Sequence, residues 1–196
     1  MSAGAAPELL ELALATLAGD RPALERLVAA GRPDRRWRET LLQTALFAGI
    51  PRVVAAWGHV SAAGGLGAPD GDELLEADDP DAAGAACFAE VYGRGAEAVH
   101  TSLVDFHPLF ARWIREFAYG RVLARPGLSL GERETLAVAC LAALNLPRQL
   151  ASHVRGAQRA GVAPDEIQGA LERGLALAPA EKHEALRAIG RRFLLD

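Results

Sequence analysis

Residues 133–172 read RETLAVACLAALNLPRQLASHVRGAQRAGVAPDEIQGALE, and the fold is decided here. Alanine and leucine dominate and β-branched residues are scattered, which is the composition of helix rather than strand. Punctuation divides the stretch into three helices. Just upstream, Ser129-Leu-Gly-Glu132 has the form of a capping box, in which the serine oxygen and the glutamate each satisfy a free N–H of the first turn, so a helix runs over 130–144. Asn145-Leu146-Pro147 breaks it, and a second helix covers 148–160. Gly161 stops that one, and Pro164-Asp165-Glu166 opens a third, with its acids at the positive end of the helix dipole. The tail, 180–195, places Leu186, Ile189 and Phe193 on one face and is expected to clamp the bundle or a partner subunit.

The same grammar extends toward the N-terminus. Helices are expected over 7–18, 21–30 and 36–48, stopped by Gly19-Asp20, Gly31 and Gly49-Ile50-Pro51, and a further one starts at Pro51 and carries Val54 and Trp57. From Gly58 to Gly84 the chain turns to Gly, Asp, Ala and Pro, the composition of a linker or long surface loop. Helices resume over 85–102. The next, over 106–119, has Phe106, Phe110, Trp113, Ile114 and Phe117 at helical spacing, which reads as a stripe packed on the core. The expectation is an all-α protein. Residues 1–60 form an N-terminal helical half, 61–84 a linker, and 85–196 a C-terminal half. A faint repeat relates the halves: Glu8 through Asp34 follows the plan of Glu134 through Asp165, with Glu8 opposite Glu134 but Leu27 opposite His153.

Composition excludes several classes. Hydrophobic residues make up 51% and charged residues 23% of the 196, too apolar for disorder and ordinary for a globular domain. A net charge of −4 gives no general attraction to nucleic acid or to an anionic membrane. No apolar run reaches the roughly 18–20 residues that cross a bilayer, and the start MSAGAAPELLEL lacks a basic secretory leader, so a cytoplasmic location is expected. One basic cluster, GRPDRRWRE, sets Arg32, Arg35, Arg36 and Arg38 around Trp37. It reads as a solvated helix start with the tryptophan inward, or else as an anion site. Cys87 and Cys140 form no CxxC, and each reads as a buried free thiol. His59, His100, His107 and His183 have no metal spacing, and the glycines of 64–67 and 93–95 follow no strand, so neither a metal site nor a dinucleotide fold is expected.

Glu134 and His153 are the candidate catalytic residues, one acid and one imidazole on paired helices. Each also has a plainer reading, Glu134 as a first-turn acid favoured by the dipole and His153 as a core or interface histidine. In an antiparallel hairpin centred on Leu146-Pro147, His153 faces Cys140, and Glu134 lies about 9 Å further along at 1.5 Å per residue. A direct bond then needs crossed helices, and a water bridge is the easier link.

The segment GRVLARPGLSLGERETLAVACLAALNLPRQLASHVRGAQRAGVAPDEIQGALE resembles the carboxymuconolactone decarboxylase family, within the alkylhydroperoxidase D-like all-helical fold. The resemblance rests on the Arg133-Glu134 helix start, Gln149-Leu150-x-x-His153, and Gly161-Val162 followed by Asp165-Glu166-Ile167. LLQTALFAGIPRVVAAW (41–57) resembles the helix that follows the third element in that family. It precedes the QLxxH element here, so the chain resembles two tandem or rearranged units, over about two-thirds of its length. The peroxidase branch of the family uses a CxxC pair before the histidine, and Leu146 and Gln149 stand at those positions. The resemblance therefore implies the decarboxylase branch: a lyase without cofactor acting on a small carboxylated lactone or related acid. In that branch the site would stabilise a dienolate and deliver a proton. His153 would be the acid and Glu134 would orient it, while Arg133, Arg148 or Arg52 would hold the substrate carboxylate. A homo-oligomer is expected. The other class left open is a non-catalytic ligand-binding or assembly protein of the same fold.

Overall fold

The structure is a computed structural model and describes residues 3–31, 33–69 and 71–194. Arg32 of the basic cluster and Leu195 of the tail lie outside the described residues. Helix limits follow the short polar residues and glycines of the sequence. The first unit contains α1 (Pro7–Ala18), α2 (Arg21–Ala30), α3 (Arg35–Ala48) and α4 (Ile50–Ala62). The Asp20 carboxylate caps α2 by accepting the Ala23 N–H at 3.0 Å, and Asp34 caps α3 by accepting the Arg36 N–H at 2.8 Å. Gly19 ends α1 in the left-handed region at φ 71°.

The last unit contains α8 (Leu130–Ala143), α9 (Pro147–Arg159), α10 (Pro164–Leu175) and α11 (His183–Leu194). The capping box at its head is formed: Ser129 Oγ accepts the Glu132 N–H at 3.2 Å, and Glu132 returns the bond to the Ser129 N–H at 2.7 Å. The packing plan of the two units is the same. In the first, α1 packs on α2 and α3, and both of these pack on α4; in the last, α8 packs on α9 and α10, and both pack on α11. The units share one apolar interior, with Leu9, Leu12 and Leu24 from the first meeting Leu136, Leu150 and Leu171 from the last. Among the described residues no helix is long and apolar enough to cross a membrane.

Between the units lie α5 (Pro80–Tyr92), α6 (Ala96–Phe106) and α7 (Pro108–Trp113), the last continuing as a wider π-helix over Ile114–Leu123. Two sequence expectations are corrected here. The helices expected over 85–102 begin earlier, at Pro80, and are separated by a 3-10 turn at Gly93–Gly95, where Gly93 takes φ 56°. The aromatic stripe does not enter the core: Phe106 and Trp113 are 69% and 61% exposed, and Phe110 and Phe117 are about half exposed. The spacing misleads because His107-Pro108 starts a new helix, so Phe106 belongs to α6, and the π segment then rotates later residues off the α-helical register. The inward side is instead occupied by α5 at backbone contact. A Cβ on Gly120 would lie 1.9 Å from the Pro80 carbonyl oxygen, and one on Gly84 would lie 2.0 Å from that of Arg115.

The Gly/Asp-rich segment after α4 is irregular but fastened. Leu66 is buried, and its carbonyl accepts a bond from Arg38 at 2.5 Å. A 3-10 turn, Gly71–Leu74, places Glu73 against Arg38 at 2.8 Å and Asp72 against Arg35 at 2.6 Å. Arg35 and Arg38 therefore reach acids of the neighbouring segment and Arg36 pairs with Glu132 at the head of α8, while the indole of Trp37 is buried under Gly31. Beneath them Glu39, 1% exposed, accepts from Arg125 at 2.8 Å and from Arg133 at 3.0 Å. Arg133, fully buried, also reaches the Gln43 oxygen at 3.1 Å and the Arg125 carbonyl at 2.9 Å, and its Nε has no partner among the described residues. Burial pulls its guanidinium below the usual arginine value, against the opposing hydrogen bond and charge of Glu39.

Removing one member of such a group leaves the others charged and dry. Glu39→Ala is expected to cost about 3–5 kcal/mol. In thermal unfolding the midpoint should fall by roughly 8–15 °C. A shift of a degree or two would show that the network carries no net stability.

Candidate active site

Glu134 lies one turn into α8, directly after Arg133, and His153 lies midway along α9. Leu150, Val154 and Ala157 turn α9 toward the core, which brings the neighbouring His153 and Gly156 onto α8 and α5. Both polar side chains are taken out of water: Glu134 is 0% and His153 8% exposed. They bond directly, with His153 Nδ1 at 3.0 Å from Glu134 Oε2 and 3.2 Å from Oε1. The water bridge suggested by the crude hairpin is not needed. Gly156 explains why, since a Cβ there would sit 2.0 Å from Glu134 Oε2. The missing side chain lets the carboxylate fold over α9, and two long side chains span the offset left at the level of the helix axes.

Burial pushes the His153 imidazole toward its neutral form, but the Glu134 charge and hydrogen bond outweigh this and raise it above 6.5. With Nδ1 committed to Glu134, Nε2 has no hydrogen-bond partner among the described residues, and the side chain keeps 10% exposure. Cys140 is a free thiol fully buried in the apolar core, as expected, and burial alone pushes it up to about 12.

A tyrosine pair that spacing did not single out completes the site. The buried Tyr119 hydroxyl, carried by the π segment, donates to the Tyr92 hydroxyl at 3.0 Å. Phe88 stacks against both rings, with centroids 4.4 Å and 4.7 Å away. Tyr92 meets the His153 ring edge-on at 6.5 Å. Burial raises both phenols, Tyr119 well above its ordinary value, so both are protonated and able to donate. Cys87 packs in the same cluster, pushed up to about 12 by burial and then by Glu134.

Next to Tyr92 opens a cavity of about 460 Å³, whose lining includes neither Glu134 nor His153 itself. Gln149 and Ser152, the neighbours of His153 on α9, line it together with Arg148 and Tyr92, and α6 and α7 form the opposite wall. Of the three arginines expected near substrate, Arg148 lines this cavity. Arg133 is turned into the Glu39 network, and Arg52 hydrogen-bonds the Leu17 carbonyl at the end of α1. Among the described residues, no three His, Cys, Asp or Glu side chains gather as a metal site.

Residues 108–190 match the carboxymuconolactone decarboxylase family. The chain is also similar to the 4-carboxymuconolactone decarboxylase of Acinetobacter baylyi, at 37% identity over 67 residues, which cover 34% of this chain and 50% of that protein. The chain thus spans about half the length of the curated relative it matches. The matched residues include Glu134, Arg148 and His153, whereas α5 and α6, and with them Tyr92, precede the match.

The glycine at 156 is the most sensitive test of the pair. Gly156→Ala should displace the Glu134 carboxylate and lower the His153 pKa at a stability cost of about 1–3 kcal/mol. Nitrogen-15 NMR titration of the imidazole reads this, and an unchanged His153 titration in that variant would refute the packing argument.

Proposed function

We propose that this chain, whose residues 108–190 match the carboxymuconolactone decarboxylase family, is a cytoplasmic, homo-oligomeric lyase that decarboxylates a small carboxylated lactone or related acid. The observation that carries this reading is a buried Glu134–His153 hydrogen bond that leaves His153 Nε2 without a hydrogen-bond partner among the described residues, next to Tyr92, which lines a cavity. Arg148 holds a substrate carboxylate. The bond from the leaving carboxylate to carbon breaks, its electron pair passes into a conjugated carbonyl, and carbon dioxide departs. Tyr92, fixed by Tyr119, donates to the enolate oxygen as charge develops there. His153 Nε2 then delivers its proton to carbon, and Glu134 holds the ring in position and stabilises the imidazolium that precedes the transfer. The conjugated carbonyl is itself the electron sink, so the chemistry calls for no cofactor.

Two features weigh against a thiol peroxidase. Leu146 and Gln149 occupy the positions of the family's CxxC pair. Cys87 and Cys140 are each held as thiols near 12 by burial, and a thiol is a poor nucleophile beside its thiolate. The alternative of a non-catalytic assembly protein draws its support from the exposed Phe106, Trp113 and Phe117, a surface of the kind that binds other chains.

Purified protein supplied with carboxymuconolactone should release carbon dioxide and an enol-lactone. His153→Ala should reduce kcat by about 10²–10⁴. A general acid must be protonated, and Glu134 raises His153, so kcat/KM should stay high past pH 6.5 and fall as pH rises through the elevated value. Glu134→Gln removes what raises the imidazole and leaves the desolvation that lowers it, so that limb should move toward acid. No turnover by the wild type, or full turnover by His153→Ala, sinks the lyase reading.

A further inference from the structure

We infer that the aromatic stripe of residues 106–117 is the surface on which a second copy of this chain docks, and that this docking backs the open wall of the cavity next to Tyr92. Phe106, Leu109, Phe110, Trp113 and Phe117 are between 47% and 69% exposed. Among the described residues, every exposed aromatic side chain lies in this stripe. From Leu109 onward its members recur at three- and four-residue intervals along α7 and the π-helix, so they form one ridge. Phe106 joins that ridge through the cavity wall it shares with Phe110. With about 150–250 Å² for each aromatic side chain, these fractions leave roughly 500 Å² of apolar surface in water. Patches of that size lie at the upper end for a monomer and mark interaction surfaces. The ridge alone supplies more than half of the roughly 800 Å² that each partner contributes to a stable interface.

The charge around the ridge selects the occupant. Asp105, Arg112 and Glu116 border it, and Arg112 pairs with Glu116 at 2.7 Å one turn apart. Nucleic acid or an anionic membrane would need an excess of cations, and the border has none. An apolar centre with both signs of charge at its edge is complementary to itself. About a twofold axis across the helix, two copies of the ridge run antiparallel, and the basic position of one lies toward the acidic position of the other.

Docking also changes the cavity. Phe106 and Phe110 wall it opposite Arg148, yet in a single chain both side chains stand in water. A copy seated on their outer faces removes that water, and charge interactions inside strengthen as water leaves. This consequence rests on the reading that substrate is turned over beside the cavity; the interface itself does not.

Sedimentation equilibrium of the full chain, between about 1 and 100 μM, should give a mass of two chains or a multiple of two at the upper end. Trp113→Glu should halve that mass or weaken association by about thirtyfold or more, the loss expected of a central aromatic anchor. Trp113 is solvent-exposed in the single chain, so the variant keeps its fold, which circular dichroism checks. Phe106→Glu, at the other end of the ridge, should act in the same way. Ile50→Glu, on the exposed face of α4, should leave the mass unchanged. A wild type that stays monomeric at the upper concentration, a mass that neither ridge variant changes, or dissociation by Ile50→Glu alone overturns the inference. Binding of a monomeric wild type to phosphatidylcholine vesicles also overturns it, and assigns the ridge to a lipid surface. Turnover of carboxymuconolactone per chain should fall as the wild type is diluted through its dissociation constant. Association without turnover would remove the lyase reading and leave the interface standing. Full turnover by a monomeric Trp113→Glu would keep the lyase reading and remove the role of the second copy at the site.

Discussion

Glu39 is shared by the buried Arg133 and the partly buried Arg125, and the arrangement of the chain depends on that sharing. Arg125 comes from the turn before α8, Arg133 from α8 itself, and Glu39 from α3 of the first unit. Arg125 also binds the carbonyl of Glu73, so the segment linking the units is drawn into the same group. A buried ion group of this kind is a weak source of net stability but a strong penalty on any other arrangement, because every alternative strands a charge in a dry interior. Arg133 and Glu134 are consecutive, so their side chains leave α8 about 100° apart. Holding Arg133 toward α3 thereby holds Glu134 toward α9. The rotation of one helix serves the junction between the units and the candidate site together.

The two units share a packing plan and differ in what they bury. Both units use the same helix pairings, yet the last unit buries its acid–histidine pair while Glu8 of the first is exposed and Leu27 stands opposite the histidine. The difference comes from what covers each unit. In the last unit α5 lies across α9, with Val91 close to the Gly156–Glu134 contact, and supplies the low-dielectric surroundings in which a carboxylate strongly holds an imidazole.

Much of this was legible in the residues because helix ends are local chemistry. The Ser129–Glu132 box, the prolines at 147 and 164 and the glycines at 19 and 161 act on their own turns, so α8, α9 and α10 lie within a residue or so of where they are expected. Glu134 and His153 could be named, but their distance could not, because it is set by the absence of a side chain at Gly156, a fact about packing between helices. The partners of Arg133 were hidden for the same reason, since Glu39 and Gln43 lie about ninety residues away. The aromatic stripe misled because periodicity reports an apolar face without saying what lies opposite it, and a π segment changes the period partway. Tyr92 carried no signal at all; its place depends on Tyr119, which the π segment delivers.

The two walls of the cavity differ in how firmly they are held. The α9 wall is bound into the core through Leu150, Val154 and Ala157, all at 0% exposure, whereas α6 has no buried residue and is bounded by the Gly93–Gly95 turn and by His107-Pro108. The cost of a local opening rises with the apolar surface it exposes to water, so α6 lies at the low end of the chain's stability spectrum and α9 near the top. The cavity can thus exchange its contents through the movement of one helix, at a fraction of the free energy of unfolding, while Glu134 and His153 stay in register.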